Sequence, residues 1–267
     1  MSICIRRREF IAAAAAWPVA ARAQQPRLPV VGFVSLLSTA DAFGLAAFRK
    51  GLSETGYVEG QNVSVEYHWL DGQFDRLPAL LAELVRRRVA VIATPGSNAA
   101  SLAAKAATTT IPIVFGVGED PVRLGLVASL ARPGGNATGI NLFSLEVTAK
   151  RLGLLHELMP KAVRIAVLVN PANAYTSEAT QRDITEAARA IGLQIQYLHA
   201  STTREIESAF ATLVRERADA LFVAGDPYFF TRRVQFATLA AKHGIPASYS
   251  RSNFVEAGGI TAGMIDR

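Results

Sequence analysis

Cysteine is almost missing from this chain: 267 residues contain one, Cys4. It falls in a segment read below as a removable leader, so the working chain has no thiol and forms no disulfide, and an oxidising compartment poses it no redox problem. Histidine is scarce as well. His68 and His199 fall in expected strands, His156 and His243 on expected helices, and none has a second His or Cys at metal-ligand spacing. Neither a metal nor a cofactor is therefore expected. The motifs of common enzyme chemistry are also lacking. There is no Gly-x-Ser-x-Gly, no P-loop and no complete Gly-x-Gly-x-x-Gly, because the start at Gly116-x-Gly118 lacks its third glycine. Asp71 and Asp75 lie close together, but in a Gly- and Gln-containing turn that reads as solvated. The chain is accordingly not read as an enzyme. Beyond residue 23 no apolar run reaches the roughly 20 residues that a membrane-spanning helix needs.

What is present begins with an address. Arg6, Arg7 and Arg8 precede an apolar stretch, Phe10 to Ala21, and a small-x-small site, Ala21-Arg22-Ala23. A cationic start, a short apolar run and such a site together make a secretory signal. Arg7-Arg8-Glu9-Phe10-Ile11 also resembles the twin-arginine export motif. Residues 1–23 are thus expected to be a signal peptide, cleaved near Ala23, and the protein is expected in the periplasm. No Leu-x-x-Cys lipid-attachment pattern follows, so a soluble rather than a lipid-anchored protein is expected. The leader carries four Arg and one Glu, and without it the formal charge falls from +6 to +3. That residue of charge does not argue for nucleic acid. The cluster Arg86–Arg88 sits at a helix end, where cations suit the macrodipole, and lacks interleaved aromatics.

The remainder alternates between two periods. Short β-rich runs occur at Pro29–Val34, Val63–Tyr67, Val89–Ala93, Ile111–Phe115 and Ala137–Asn141. Helical patterns lie between them at Asp41–Thr55, Asp75–Arg88 and Ser97–Ala107. After a helix at Leu145–Met159 a second series follows, with strands at Arg164–Val169, Gln194–Leu198, Asp219–Ala224 and Ile245–Ser248. Its helices are expected at Ser177–Ile191, Thr203–Arg217 and Tyr228–His243, with Gly192 and Gly244 as stops and Thr202-x-x-Glu205 as a capping box. Nearly all-apolar strands alternating with helices imply parallel sheets flanked by helices on both faces. Two such series imply an α/β protein of two doubly wound lobes, residues 24–143 and 144–267, joined near Asn141–Glu146.

Ligands of such sheets bind beyond the carboxyl ends of the strands. The loops there are polar and small. They offer Ser35 and Thr39 after the first strand, Ser97 and Asn98 after the third, Glu119 after the fourth and Asn141 after the fifth. The second series offers Tyr175, Asp226, Tyr228 and Tyr249. Ser97 and Asn98 open a helix, whose unpaired N–H groups suit a carboxylate, although Ser97 also reads as a simple cap. Glu119 and Asp226 suit an ammonium group, yet Asp226-Pro227 is also the pattern of a helix start with Pro at its first position. Tyr228, Phe229 and Tyr249 suit a flat apolar ligand. For Phe229 and Phe230 core packing is the rival reading, and one of the two is expected in the core.

Several segments together resemble the periplasmic substrate-binding proteins of ABC transporters of the tryptophan/tyrosine type. They are Phe48-Arg-Lys-Gly-Leu-Ser-Glu-Thr-Gly-Tyr57 with Gly60-Gln-Asn62, then Pro112-Ile-Val-Phe-Gly116, then Asp120-Pro121-Val122 with Gly125-Leu-Val127. Arg132-Pro-Gly-Gly-Asn136-Ala-Thr-Gly139 is the most distinctive, and Ala220–Pro227 and Phe254–Gly259 match more loosely. The resemblance implies a type I periplasmic-binding-protein fold of two Rossmann-like lobes. It implies capture of a small-molecule ligand, an amino acid or an aromatic or other carboxylic acid, between them. It further implies a monomer that delivers to a cognate ABC permease in the inner membrane. Relatives of this type continue past the point where this sequence stops, so the C-terminal part is expected to be missing. Where amino-acid binders carry Asp-Asn, this chain has Asp226-Pro227, which points to a ligand without an amine. The alternatives are an exported enzyme on a two-lobe α/β scaffold and a ligand-sensing domain.

Overall fold

The computed structural model describes residues 28–39, 44–143 and 147–258. The expected leader and the junction at 144–146 lie outside the described residues.

The apolar runs imply nine strands, and the structure sorts them into two sheets. The first contains β1 (Val30–Ser35), β2 (Ser64–Trp69), β3 (Val91–Thr94), β4 (Ile113–Val117) and β5 (Ala137–Asn141), in the order β2-β1-β3-β4-β5. The second contains β6 (Arg164–Val169), β7 (Gln194–His199), β8 (Ala220–Val223) and β9 (Ala247–Ser248), in the order β7-β6-β8-β9. Every pairing is parallel. In each sheet the chain leaves the first strand toward one side and returns to pair on the other. The order therefore reverses between β1 and β3 and again between β6 and β8, leaving a crevice at those strand ends.

Helices cover the faces. The helix α1 (Leu45–Glu54) lays Phe48 and Leu52 over Val31, Phe33 and Val65. On the opposite face α2 (Leu77–Arg86) and α3 (Asn98–Ala107) bury Leu81, Leu84 and Ala104 against Val34, Ile92 and Ile113. In the second sheet α4 (Thr148–Leu158) and α5 (Ala174–Ile191) pack Leu152, Leu155 and Ile184 on Ile165, Val167 and Phe222. The helices α6 (Thr203–Arg215), α7 (Pro227–Thr231) and α8 (Arg233–His243) cover the other face, with the short α9 (Asn253–Glu256) beside them. Each fully buried Leu or Phe contributes about 1.5–3 kcal/mol.

Local signals act where the sequence places them. Thr202 caps α6, its hydroxyl accepting from the Glu205 N–H at 3.2 Å, and α5 and α8 end on Gly192 and Gly244. The single helix expected over Tyr228–His243 is instead two. Arg232, at φ −105° and ψ 16°, separates α7 from α8. Its N–H turns back to the Phe229 carbonyl at 3.1 Å, and the Thr231 hydroxyl occupies the Tyr228 carbonyl at 2.8 Å. Three-residue closure of this kind ends an α-helix. The helix expected from Asp75 starts with a 3-10 turn, Phe74–Arg76, before α2, and α5 begins three residues earlier than Ser177.

Candidate functional site

Loops that follow the strands of both sheets enclose a cavity of about 350 Å³. From the first half it is lined by Leu37, Pro95, Gly96, Gly116, Ile140 and Leu142. From the second half come Gly225, Asp226, Pro227, Phe230, Ser250 and Arg251. Its size lies within the range of small-molecule sites, roughly 300–1,000 Å³, and its wall is mostly apolar, as is usual for them. A smaller, polar chamber of about 50 Å³ shares Gly96, Gly225 and Pro227 and adds Ser97, Asn98, Gly118, Asn173 and Thr176.

The small chamber is built on two helix starts, one from each half. Ser97 precedes α3, its hydroxyl accepting from the Ala100 N–H at 3.1 Å, and so it is that helix's cap. Asn98 accepts the Gly118 N–H on Oδ1 at 2.9 Å, which defines its Nδ2 as a donor. Asn173 precedes α5 without capping it. Its Nδ2 donates to Asp226 Oδ2 at 2.8 Å, while its Oδ1 is buried with no partner. Helix N-termini carry unpaired N–H groups and partial positive charge. The chamber thus offers N–H donors and one unmet acceptor, which suits a group that both accepts and donates hydrogen bonds.

Asp226 ties these parts together. Its Oδ1 accepts from Asn170 Nδ2 at 2.9 Å, from Tyr228 N at 2.9 Å and from Phe229 N at 3.4 Å. With Asn173 on Oδ2 the carboxylate receives four N–H groups, caps α7 and holds the loop after β6 to the loop after β8. Burial raises its pKa, and the four hydrogen bonds work in the opposite direction.

The two halves touch elsewhere too. Arg232 meets Asp71 at 3.4 Å and lies 5.0 Å above the Tyr228 ring. Glu119 is 5% exposed, has Arg123 at 3.7 Å and leaves Oε2 buried and unpartnered. Tyr175, from α5, packs against the core of the first half. Burial raises the pKa of its hydroxyl, and the negative charge of Glu119 adds to the effect.

Of the residues singled out from sequence, Asp226 lines the larger cavity, and Ser97 and Asn98 line the smaller. Glu119 and Tyr175 lie where the halves meet. Ser35 is buried and shapes the turn after β1, accepting from Leu37 N at 3.2 Å, and Asn141 does the same for Phe143 N at 2.8 Å. Thr39 is exposed. Tyr228 and Tyr249 are core residues. Tyr249 stacks on Phe254 with ring centroids 4.4 Å apart, and its hydroxyl, pushed up by burial, has no partner. Phe229 and Phe230 are both buried, but Phe230 also faces the cavity. The apolar wall, Asn170, Asn173 and Arg251 were not among the selected residues. The one signal available for Arg251 was its place in a polar loop after the last strand.

Among the described residues there is no group of three His, Cys, Asp or Glu that could hold a metal ion, and no helix long and apolar enough to cross a membrane. The sequence profile of the ABC transporter substrate binding proteins matches residues 30–267. The chain belongs to this family. A tyrosine-binding protein of Clostridioides difficile (strain R20291) is 28% identical over 222 residues, which is 82% of this chain and 62% of that relative. The chain therefore spans less than two thirds of the relative's length. Among solved structures, a conserved domain protein of Vibrio cholerae superposes with a TM-score of 0.76 at 24% identity, covering 87% of this chain and 77% of that one. An ABC domain of Streptococcus pneumoniae in complex with L-Trp gives a TM-score of 0.72 at 22% identity, with the same coverages. These likenesses agree with the type I periplasmic-binding-protein fold.

Proposed function

We propose that the protein is the solute-capturing component of an ABC importer. It binds a small organic molecule, an amino acid or an aromatic or other carboxylic acid, between two lobes formed by residues 24–143 and 144–267. The observation that carries this reading is the shared cavity: both sheets send the loops at their strand-order reversals into one gap. Neither half closes that gap alone, so a ligand in it contacts both, and occupancy favours the closed arrangement over an open one. Family membership supports the transport role and implies a permease as partner. The curated relative's name and the L-Trp of the pneumococcal structure support an amino acid or an aromatic ligand. The leader features of residues 1–23 support export to the periplasm, where the protein would act as a monomer. Capture without chemistry is favoured over an exported enzyme, because Asp226, the one carboxylate among the cavity's described lining residues, is held by four N–H groups rather than poised beside a base or nucleophile.

Native mass spectrometry of the protein purified from a periplasm tests this reading, since captured solute adds a discrete mass. Isothermal titration with amino acids and aromatic acids follows. A micromolar solute corresponds to about 8 kcal/mol of binding free energy. Absence of an added mass together with absence of heat across the panel would count against solute capture.

A further inference from the structure

The small chamber is polar yet uncharged: none of its described lining residues carries an ionisable side chain. Its acceptor is Asn173. That residue is 5% exposed, its Nδ2 is held on Asp226 Oδ2 at 2.8 Å, and its Oδ1 is buried with no partner. A buried acceptor left unmet is costly, and a solute that brings the missing donor removes that cost. The chamber's donors come from the starts of α3 and α5. No side chain caps α5, and at α3 the Ser97 hydroxyl takes the Ala100 N–H alone, so first-turn N–H groups remain without an intrahelical partner. Asn98 adds Nδ2, because its Oδ1 accepts from Gly118 N. Two helix starts favour negative charge and disfavour an ammonium. An ammonium would also bring three N–H groups to one neutral oxygen, and the Asp226 carboxylate that holds Asn173 already receives four. A hydroxyl brings the one donor that Oδ1 lacks and no charge. The larger cavity shares Gly96, Gly225 and Pro227 with the chamber, so one molecule reaches both.

We infer that Asn173 is a specificity-determining residue of the cleft, and that the captured solutes are 2-hydroxy carboxylic acids with an apolar body. The hydroxyl donates to Asn173 Oδ1. The carboxylate takes Asn98 Nδ2 and the N–H groups at the start of α3. The body lies in the larger cavity against Leu37, Ile140, Leu142 and Phe230. Asn98 belongs to the first half and Asn173 to the second, so the head of a single solute joins the two. This inference rests on the proposed role in solute capture and narrows it. An acid without the hydroxyl leaves Oδ1 unmet, and an amino acid sets a positive charge between two helix starts.

The test uses 3-phenyllactate of each hand, 3-phenylpropanoate, which lacks the hydroxyl, and L-phenylalanine, which has an ammonium in its place. Each is titrated into the wild-type protein and into N173A. The wild type is expected to bind the better hand of 3-phenyllactate at least about tenfold more tightly than either of the other two, the scale of a buried acceptor left unpaired. N173A is expected to weaken 3-phenyllactate binding by about 10- to 100-fold and to leave 3-phenylpropanoate within about threefold, so that the preference for the hydroxyl collapses. A merely structural Asn173 would weaken both acids alike and keep their ratio. The inference is overturned if the two acids bind the wild type equally, if N173A keeps the wild-type ratio, or if no probe binds. The wild-type ratio alone decides the matter if N173A fails to fold. L-Phenylalanine binding tighter than that of 3-phenyllactate would overturn this inference and leave solute capture standing. No binding of any probe, joined to no captured mass in the native spectrum, would remove both.

Discussion

Gly72→Ala separates the stability of one half from the closure of the two. Gly72 follows β2, and its N–H donates to the Leu36 carbonyl at 2.7 Å, so it is fixed within the first half. Its φ is +75°, and an added Cβ would lie 2.5 Å from Tyr228 Cδ2, 2.8 Å from Tyr228 Cβ and 3.1 Å from Tyr228 Cα. Tyr228 belongs to α7, in the second half. Two penalties follow, and they act on different equilibria. The left-handed backbone costs an alanine about 1–2 kcal/mol in any arrangement of the halves. The overlap exists only while the halves are together. One of the three atoms is backbone, so no rotamer change relieves all of it, and overpacking of this kind costs about 1–3 kcal/mol. Gly56→Ala is the matched control, because Gly56 has φ +85° and nothing within 4 Å of the added Cβ. Both variants are expected to lose about 1–2 kcal/mol in urea denaturation. Only Gly72→Ala is expected to increase the radius of gyration in small-angle X-ray scattering and to weaken binding of the captured solute by about 5- to 150-fold. Identical scattering for Gly72→Ala and Gly56→Ala, with equal stability losses, would refute the reasoning that this contact limits closure.

Asp226→Asn puts an amide where four N–H donors converge, and is expected to destabilise the fold by about 1–3 kcal/mol at neutral pH, read by denaturant titration. Because the folded-state pKa of Asp226 is raised, its stabilising contribution is full below the unfolded value and declines as pH rises through the folded one. The wild-type margin over Asp226→Asn should therefore be larger at acid pH than at neutral pH. Arg151, from α4, is buried over Phe222 at 4.2 Å and donates to the Val223 and Ser248 carbonyls at 3.0 and 3.1 Å. Arg151→Met removes both of these hydrogen bonds and is expected to cost about 1–3 kcal/mol. Burial lowers the Arg151 pKa to about 9, so the folded state binds fewer protons than the unfolded one above that pH. The wild-type margin over Arg151→Met is expected to grow between pH 8 and 10.5, and a margin that shrinks would contradict the assignment. Ser97→Ala and Thr202→Ala each remove a helix cap worth about 0.5–2 kcal/mol. Thermal melts should show similar losses, and titration should show weakened solute binding for Ser97→Ala alone, because Ser97 also lines the polar chamber.

Strands and helices were legible because their signals are local: an apolar run such as Arg164–Val169 or the cap at Thr202 is decided within a few neighbouring residues. The division of Tyr228–His243 was not, because it turns on which carbonyl the Arg232 N–H reaches. The site divides along the same line. Ser97 and Asp226 stood out since each begins a helix at a strand end, and they line the cavities for that reason. Tyr249 occupies an equivalent place, yet its ring turns inward onto Phe254, a choice fixed by how α9 folds back. Arg251 lines the cavity over a ring 21 positions earlier, a placement beyond any local pattern. Cap and ligand contact looked like rival readings of Asp226 and Ser97, but the geometry makes the first a condition of the second. The hydrogen bonds from Tyr228 and Phe229 that define Asp226 as a cap fix its carboxylate. That fixed carboxylate then orients Asn173, through Nδ2, and Oδ1 is left as its unmet acceptor. Removing the cap would release the very group whose orientation gives the chamber its chemistry.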